Sequence, residues 1–314
     1  MSELSEKVKK SIERLKLFEP EDGYYLAFSG GKDSVTTKAI MDMAGVKYDA
    51  TYRVTTVDPP ELVRFIKDVY PDVKREVPRY SDTFKHADMR GKPITMWNLI
   101  PLKLMPPTRM ARYCCEFLKE DGGDGRVTVT GVRWDESMNR KKNQGAVVIH
   151  GDFRAEEQLD GQTGFFDDEE QQFEVNPRHG SLILTNDSEE NRRLVEHCFR
   201  RRKTVVNPII EWKEDDVWEF IRAEGIPYCS LYDEGYKRLG CIGCPIASVG
   251  TRLRDFERWP KYKHHYMLAF DRMLKKRKER HDKDARYPLW RSKGEDRETA
   301  TPEDVFNWWM ELNV

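Results

Sequence analysis

At 314 residues with 35% charged side chains, the chain can bury a large core under a highly charged surface. Its formal net charge is −1 and its mean hydropathy −0.78, and no stretch approaches the roughly 20 apolar residues of a membrane span, so membrane partners are excluded. Met1 to Lys7 has no basic start leading into an apolar run, which predicts a cytoplasmic protein, and there its six cysteines point to metal ligation or catalysis before disulfides.

In chain order, Leu4 to Phe18 predicts an amphipathic helix and Tyr24 to Phe28 the first strand. Val35 to Ala44 predicts a helix, and Val46 to Val54 a second strand with Val46, Tyr48, Ala50 and Tyr52 in alternation. Pro59-Pro60 opens a helix over Glu61 to Val69. Arg126 to Gly131 and Thr204 to Ile210 are short β-branched strands, the latter ended by Pro208. Lys213 to Glu224 is helical, with Val217, Trp218 and Ile221 on one face and Trp218 expected in the core. Ala146 to Leu184 breaks the rhythm: it is acidic and Gln-rich, and is expected to be an insertion or long surface excursion, with a hairpin as one form. Pro260 to Arg280 predicts a helix carrying both aromatic and basic residues. Thr301-Pro302-Glu303-Asp304 has an N-cap, a Pro at the first helical position and first-turn acids, ahead of Val305, Phe306, Trp308, Trp309 and Leu312. Strands alternating with helices predict an α/β fold, a mostly parallel sheet with helices on both faces, followed by a helical C-terminal region. The expected domains are 1–248, with an insertion at about 146–184, and 249–314, basic and helical. Charge is uneven: Gly151 to Glu190 holds 12 Asp/Glu against 2 Lys/Arg, and Thr251 to Gly294 holds 15 Lys/Arg against 6 Asp/Glu.

The most informative residues are Ser29-Gly30-Gly31-Lys32-Asp33-Ser34. A strand that feeds a Gly-Gly turn into a helix start presents free N–H groups to an anion. Lys32 adds a cation, and Ser29 and Ser34 add hydroxyls. The physics predicts a polyphosphate site without the G-x-x-x-x-G-K-[ST] spacing. The plain alternative is an ordinary strand-to-helix turn. Two cysteine pairs follow, adjacent Cys114-Cys115 and the C-x-x-C of Cys241 and Cys244. By spacing alone the C-x-x-C is a redox pair or half of a zinc site. Both pairs together supply four thiolates, enough for zinc or a [4Fe–4S] cluster. Cys198 and Cys229 have no partner at metal spacing; they read as small buried residues or as a sulfur-carrying thiol.

The S-G-G-K-D-S loop resembles the PP-loop of ATP pyrophosphatases, and the resemblance to the phosphoadenosine-phosphosulfate reductase family runs from about Gly23 to Ser248. The C-C and C-x-x-C arrangement is similar to the [4Fe–4S] pattern of adenylylsulfate reductases and of DNA phosphorothioation sulfurtransferases of the Dnd/Ssp type. Thr130 to Ser137 resembles the family's G-x-R-x-x-E-S segment, and Asn207-Pro208-Ile209 with Trp212 and Asp215 to Trp218 a second, structural one. The resemblance implies an adenine nucleotide α-hydrolase-like fold. It implies ATP at Ser29, Gly30, Gly31, Lys32, Asp33 and Ser34 with Mg²⁺, nucleotide contacts at Asp58, Arg133 and Ser137, and catalytic roles for Lys32, Asp33 and Arg133. A [4Fe–4S] cluster would be held by Cys114, Cys115, Cys241 and Cys244.

One departure counts. Assimilatory reductases carry a cysteine in a Glu-Cys-Gly-(Ile/Leu)-His segment near the C-terminus, and this sequence has no cysteine after Cys244. The expected function is therefore an ATP-dependent, pyrophosphate-releasing sulfurtransferase. Its acceptor would be nucleic acid, DNA ahead of tRNA, with Lys261 to Arg280 either meeting the phosphate backbone or forming a plain solvated face, and its sulfur would come from a cysteine desulfurase, another donor or the cluster. Two alternatives stand: an adenylylsulfate or phosphoadenylylsulfate reductase, and a non-enzymatic nucleotide-sensing scaffold subunit.

Overall fold

The structure is a computed structural model. It describes residues 3–120, 122–123, 125–151, 153, 173–177, 179–184, 186–189, 191–192, 195, 203–290 and 300–311. Helix α1 (Glu3–Leu17) precedes β1 (Tyr24–Ala27), which leads into α2 (Lys32–Ala44) and β2 (Tyr48–Arg53). Next come α3 (Pro60–Val69), β3 (Lys74–Glu76), α4 (Met96–Lys103) and the single turn α5 (Tyr113–Cys115). Strand β4 (Thr128–Val129), helix α6 (Met138–Asn143) and strands β5 (Val147–Ile149), β6 (Phe173–Val175), β7 (Leu182–Leu184) and β8 (Thr204–Val206) follow. Four helices complete the described chain: α7 (Glu214–Ala223), α8 (Val249–Arg258), α9 (Pro260–Lys283) and α10 (Pro302–Trp309).

The strands form one eight-stranded sheet, ordered β3-β2-β1-β4-β8-β5-β7-β6. β2, β1, β4 and β8 run parallel, with Tyr24 opposite Tyr48 and Val129 opposite Val206. β5 then pairs antiparallel with both β8 and β7, and β6 antiparallel with β7. The sheet is thus mixed, its strands mostly parallel. Leu26, Val129, Val147, Leu184 and Val206 are fully buried along it, as β-branched and aliphatic residues are in strands covered on both faces.

The expected surface excursion at 146–184 is corrected at both ends. Val147, Ile149, Leu182 and Leu184 have no exposed surface and lie inside the sheet. Their apolar runs outweigh the acidic composition around them. The acidic centre, 154–172, lies outside the described residues, as do Cys198 and Leu312.

The chain divides into two compact units that alternate along the sequence. The first is Met1–Tyr52, Arg64–Arg75 and Gly122–Lys237; the second is Arg53–Val63, Glu76–Asp121 and Arg238–Val314. A single boundary near residue 248 therefore does not describe the division, because the segment with Cys114 and Cys115 folds with the C-terminal helices.

In the second unit, α10 begins as its sequence predicts. Thr301 and Asp304 form a reciprocal capping box, with Pro302 in the first turn. Val305, Phe306 and Trp309 are buried, and Trp309 packs on Tyr266 and Phe270 of α9 at ring-centroid distances of 4.7 and 5.6 Å. Trp218, expected in the core, is half-buried and meets Tyr228 and Tyr232 edge-on. The fully buried indole of that region is Trp212, which donates Nε1–H to Ser11 Oγ at 3.1 Å.

Candidate functional site

The first candidate site lies where β1 ends. Gly30 has φ +73°, a left-handed conformation that suits a residue without Cβ, and it turns the chain so that Gly31 becomes the N-cap of α2. Gly31 offers no side-chain cap, so α2's first N–H groups are left for other acceptors. Ser29 Oγ accepts the Gly31 N–H at 3.4 Å and donates to Ser34 Oγ at 3.3 Å, and Ser34 Oγ donates to Gly31 O at 2.9 Å. These bonds tie the two ends of the six-residue loop together.

Lys32 is 4% exposed. Its Nζ donates to Lys237 O at 3.2 Å and stands 3.7 Å from Glu214 and 3.8 Å from Asp33. Asp33 is held by Arg133, whose Nε donates to Oδ1 at 2.7 Å. Arg133 is 2% exposed and also reaches Asp135 and the Trp212 carbonyl, each at 3.4 Å. The guanidinium thus fixes the carboxylate beside the loop. Ser137 takes a different part: its Oγ caps α6 by accepting the Arg140 N–H at 3.2 Å. Ser29, Gly30, Gly31, Lys32, Asp33, Ser34 and Arg133 are therefore gathered in the first unit, while Asp58 belongs to the second.

The second candidate site is made of thiols. Cys114 and Cys115 lie on α5, anchored by Tyr113, whose hydroxyl donates to Met105 O at 2.7 Å. Cys241 and Cys244 lie on a loop pinned from several sides. Ile242 N–H donates to Val57 O at 2.8 Å, Tyr266 Oη donates to Ile242 O at 3.0 Å, and Gly243 N–H donates to Asp255 Oδ2 at 3.2 Å. Gly243 has φ +71°, and a Cβ there would lie 2.6 Å from Phe256 Cζ. The Cys241 thiol donates to Asp58 Oδ1 at 3.7 Å, which places Asp58 beside the thiols. All four thiols are half-buried.

The thiols share one electrostatic neighbourhood. A hydrogen bond to Cys115, then burial, then the charges of Cys115, Cys241 and Cys244 push Cys114 far above the usual thiol range. The same hydrogen bond pulls Cys115 down, helped by Arg112, whose Nη2 donates to Cys115 Sγ at 3.6 Å. Burial pushes Cys241 up to about 12 against the pull of Lys119. Lys119 is held above its ordinary range chiefly by the Cys241 charge. Lys119, Arg112, Tyr266 and Asp255 were not singled out from sequence. Lys119 and Arg112 flank the C-C pair within four residues, and that flanking charge was the available signal.

Among the described residues, no three Cys, His, Asp or Glu side chains are arranged to hold a single metal ion. Four soft thiols from two segments, with cations at Arg112 and Lys119 to offset their charge, fit an iron–sulfur cluster. Cys229 is 1% exposed and belongs to the first unit.

The sheet and the Gly-Gly corner at the end of β1 define an α/β protein with a glycine turn between a strand terminus and a helix start. The chain belongs to the phosphoadenosine phosphosulfate reductase domain family, whose model matches residues 23–247. An uncharacterised protein of Methanocaldococcus jannaschii is 22% identical over 75% of this chain and 39% of its own length. The adenosine 5'-phosphosulfate reductase of Oceanobacillus iheyensis is 47% identical over 14% of this chain and 19% of its own. The chain thus spans less than two-fifths of either relative. Among solved structures, phosphoadenylyl-sulfate reductase from Candida auris is 14% identical with TM-score 0.38, over 77% of this chain and 96% of that one. The U34-tRNA thiolase of Methanococcus maripaludis, with its [4Fe-4S] cluster, is 10% identical with TM-score 0.32, over 99% and 88%. No described helix is long and apolar enough to cross a membrane.

Proposed function

We propose that the protein is an ATP-dependent sulfurtransferase that releases pyrophosphate. The observation that carries this reading is the S-G-G-K-D-S corner, with Lys32 buried beside α2's first amides and Asp33 fixed by Arg133. Polyphosphate would lie against those amides, and Mg²⁺ would shield its charge. An acceptor oxygen attacks the α-phosphorus, the bond from that phosphorus to the α,β-bridging oxygen breaks, and pyrophosphate departs. Lys32 and the loop N–H groups stabilise charge developing on the leaving group. The outer sulfur of a persulfide from a cysteine desulfurase then attacks the adenylylated acceptor and displaces AMP, and a dithiol reductant cleaves the resulting S–S bond to leave sulfur on the acceptor. Cys114, Cys115, Cys241 and Cys244 would hold a [4Fe–4S] cluster, which supplies sulfur-handling or electron-transfer chemistry when bound.

The acceptor is nucleic acid, DNA ahead of tRNA. Support comes from α9, where Lys261, Lys275, Lys276 and Lys278 are exposed and phosphate contacts would be salt-sensitive. Arg277 has another role: it donates to Leu104 O at 2.5 Å and to Pro288 O at 3.1 Å. The test is radiolabelled ATP with DNA or tRNA. Pyrophosphate release that depends on acceptor supports the reading, and its absence with every acceptor refutes it.

A reductase acting on adenylylsulfate is the second reading, favoured by the family match and by relatives of that name. Sulfite release from adenylylsulfate, with no pyrophosphate from ATP, would establish it instead.

A further inference from the structure

Tyr232 has no part in the reaction above, yet it lies on the phosphate corner. Its hydroxyl accepts the Lys32 N–H at 2.8 Å. Its ring lies 5.7 Å from Lys32 Nζ, in cation–π range. A Cβ on Gly31 would stand 3.5 Å from the same hydroxyl. Lys32 is the first residue of α2, so its N–H has no partner within the helix. It is the donor that an anion at this helix start would take. The phenol oxygen thus occupies an acceptor position that a phosphate oxygen would need.

The contact is braced. Tyr232 ends the 3₁₀ turn Ser230–Tyr232 and meets Trp218 edge-on at 5.1 Å and Tyr228 at 6.3 Å. Lys32 Nζ is meanwhile engaged by the Lys237 carbonyl at 3.2 Å, at the end of the same segment. One stretch, 230–237, therefore occupies both the amide and the ammonium of Lys32. Gly235 within it has φ +85°, a backbone position that suits a sharp turn.

We propose that Tyr232 is an internal surrogate for a nucleotide phosphate, which ATP displaces from the Lys32 amide when it binds. The proposal rests on the ATP reading above. A phosphate oxygen forms a charge-assisted bond with an N–H, roughly twice as strong as the neutral bond to a phenol. Polyphosphate can therefore open the corner, whereas an uncharged nucleoside offers nothing to exchange. The closed form lowers apparent affinity by the fraction of molecules that must be opened. Tyr232 thereby acts as a positioning residue that selects for charge at the corner.

The test compares wild type, Tyr232→Phe and Lys32→Ala as full chains, with ATP and adenosine as probes. Phenylalanine keeps the ring against Trp218 and removes only the hydroxyl. Without nucleotide, the Lys32 amide should exchange hydrogen faster in Tyr232→Phe than in wild type. With ATP, Tyr232→Phe should bind about three- to tenfold more tightly, the equivalent of one neutral hydrogen bond no longer broken. Adenosine affinity should not change. Unchanged or weaker ATP binding by a folded Tyr232→Phe, or unchanged exchange at Lys32, overturns the surrogate. If wild type and Lys32→Ala bind ATP equally, or neither binds, the ATP reading falls and the surrogate with it.

Discussion

The Gly-Gly corner and the thiol site are built in opposite ways. The corner is contiguous: six residues in a row supply its amides, cation and hydroxyls, and distant residues such as Arg133 and Tyr232 bond to it from outside. The thiol site is assembled from two stretches more than a hundred residues apart, each held by the backbone and aromatic groups of further segments. A contiguous loop tolerates changes in its surroundings. A site assembled from separate segments depends on every brace.

The largest expected effect tests the corner. Lys32→Ala should lower ATP-dependent pyrophosphate release at least about 100-fold with little change in thermal midpoint, measured by a pyrophosphate-release assay and a melting curve. Equal turnover in both proteins would remove the assigned role. The two glycines then set the sites against each other. Gly243→Ala should cost about 2–4 kcal/mol in urea unfolding, because alanine there meets both a positive φ and the Phe256 ring. Gly31→Ala should cost less than about 1 kcal/mol, since a Cβ there finds nothing nearer than 3.5 Å. Equal costs would break the contrast.

Acid should act on the unit that carries the corner. Burial pushes Glu211 up, but hydrogen bonds from Arg14 and Lys10 outweigh it and hold the carboxyl at about 2 against its ordinary 4.5. A lowered folded value means stability that is complete above 4.5 and is lost as pH falls toward 2. The expected loss across that window is about 3 kcal/mol, and Glu211→Gln should flatten it. Urea titrations at several pH values check this; an unchanged slope in the variant refutes it. The smallest effect is on α9. Replacing Lys275, Lys276 and Lys278 together should weaken nucleic-acid binding and flatten its salt dependence, by a filter-binding series in salt. No change would make that face plain surface.

Much of the fold was legible because local rules and packing agreed. The loop, α2, the parallel strands and the cap of α10 stand where glycine, β-branched and capping residues place them. The antiparallel strands β5 and β7 were obscured by their acidic surroundings, since composition averages over a window while burial acts on single residues such as Val147 and Leu184. Trp218 was misplaced because helical periodicity gives a face without saying what covers it. Tyr232 was invisible for another reason. Its bond to the Lys32 amide spans 200 positions, and no local pattern marks a tyrosine that reaches so far. The thiol pairs were visible as pairs and Lys119 flanks one of them in sequence, but Asp58 and Tyr266 come beside them through tertiary packing.

Trp309 carries a consequence for biogenesis. Its indole donates to Pro107 O at 2.8 Å, its carbonyl accepts from Arg252 Nη2 at 2.9 Å, and its ring stacks on Tyr266, which grips Ile242. One late-synthesised side chain therefore clasps the supports of both thiol pairs. On the ribosome, the cysteines emerge well before this clasp does. Any metal group on the four thiols would then have to be loaded after translation has passed residue 309, and a nascent chain stalled earlier would leave the thiols without this clasp.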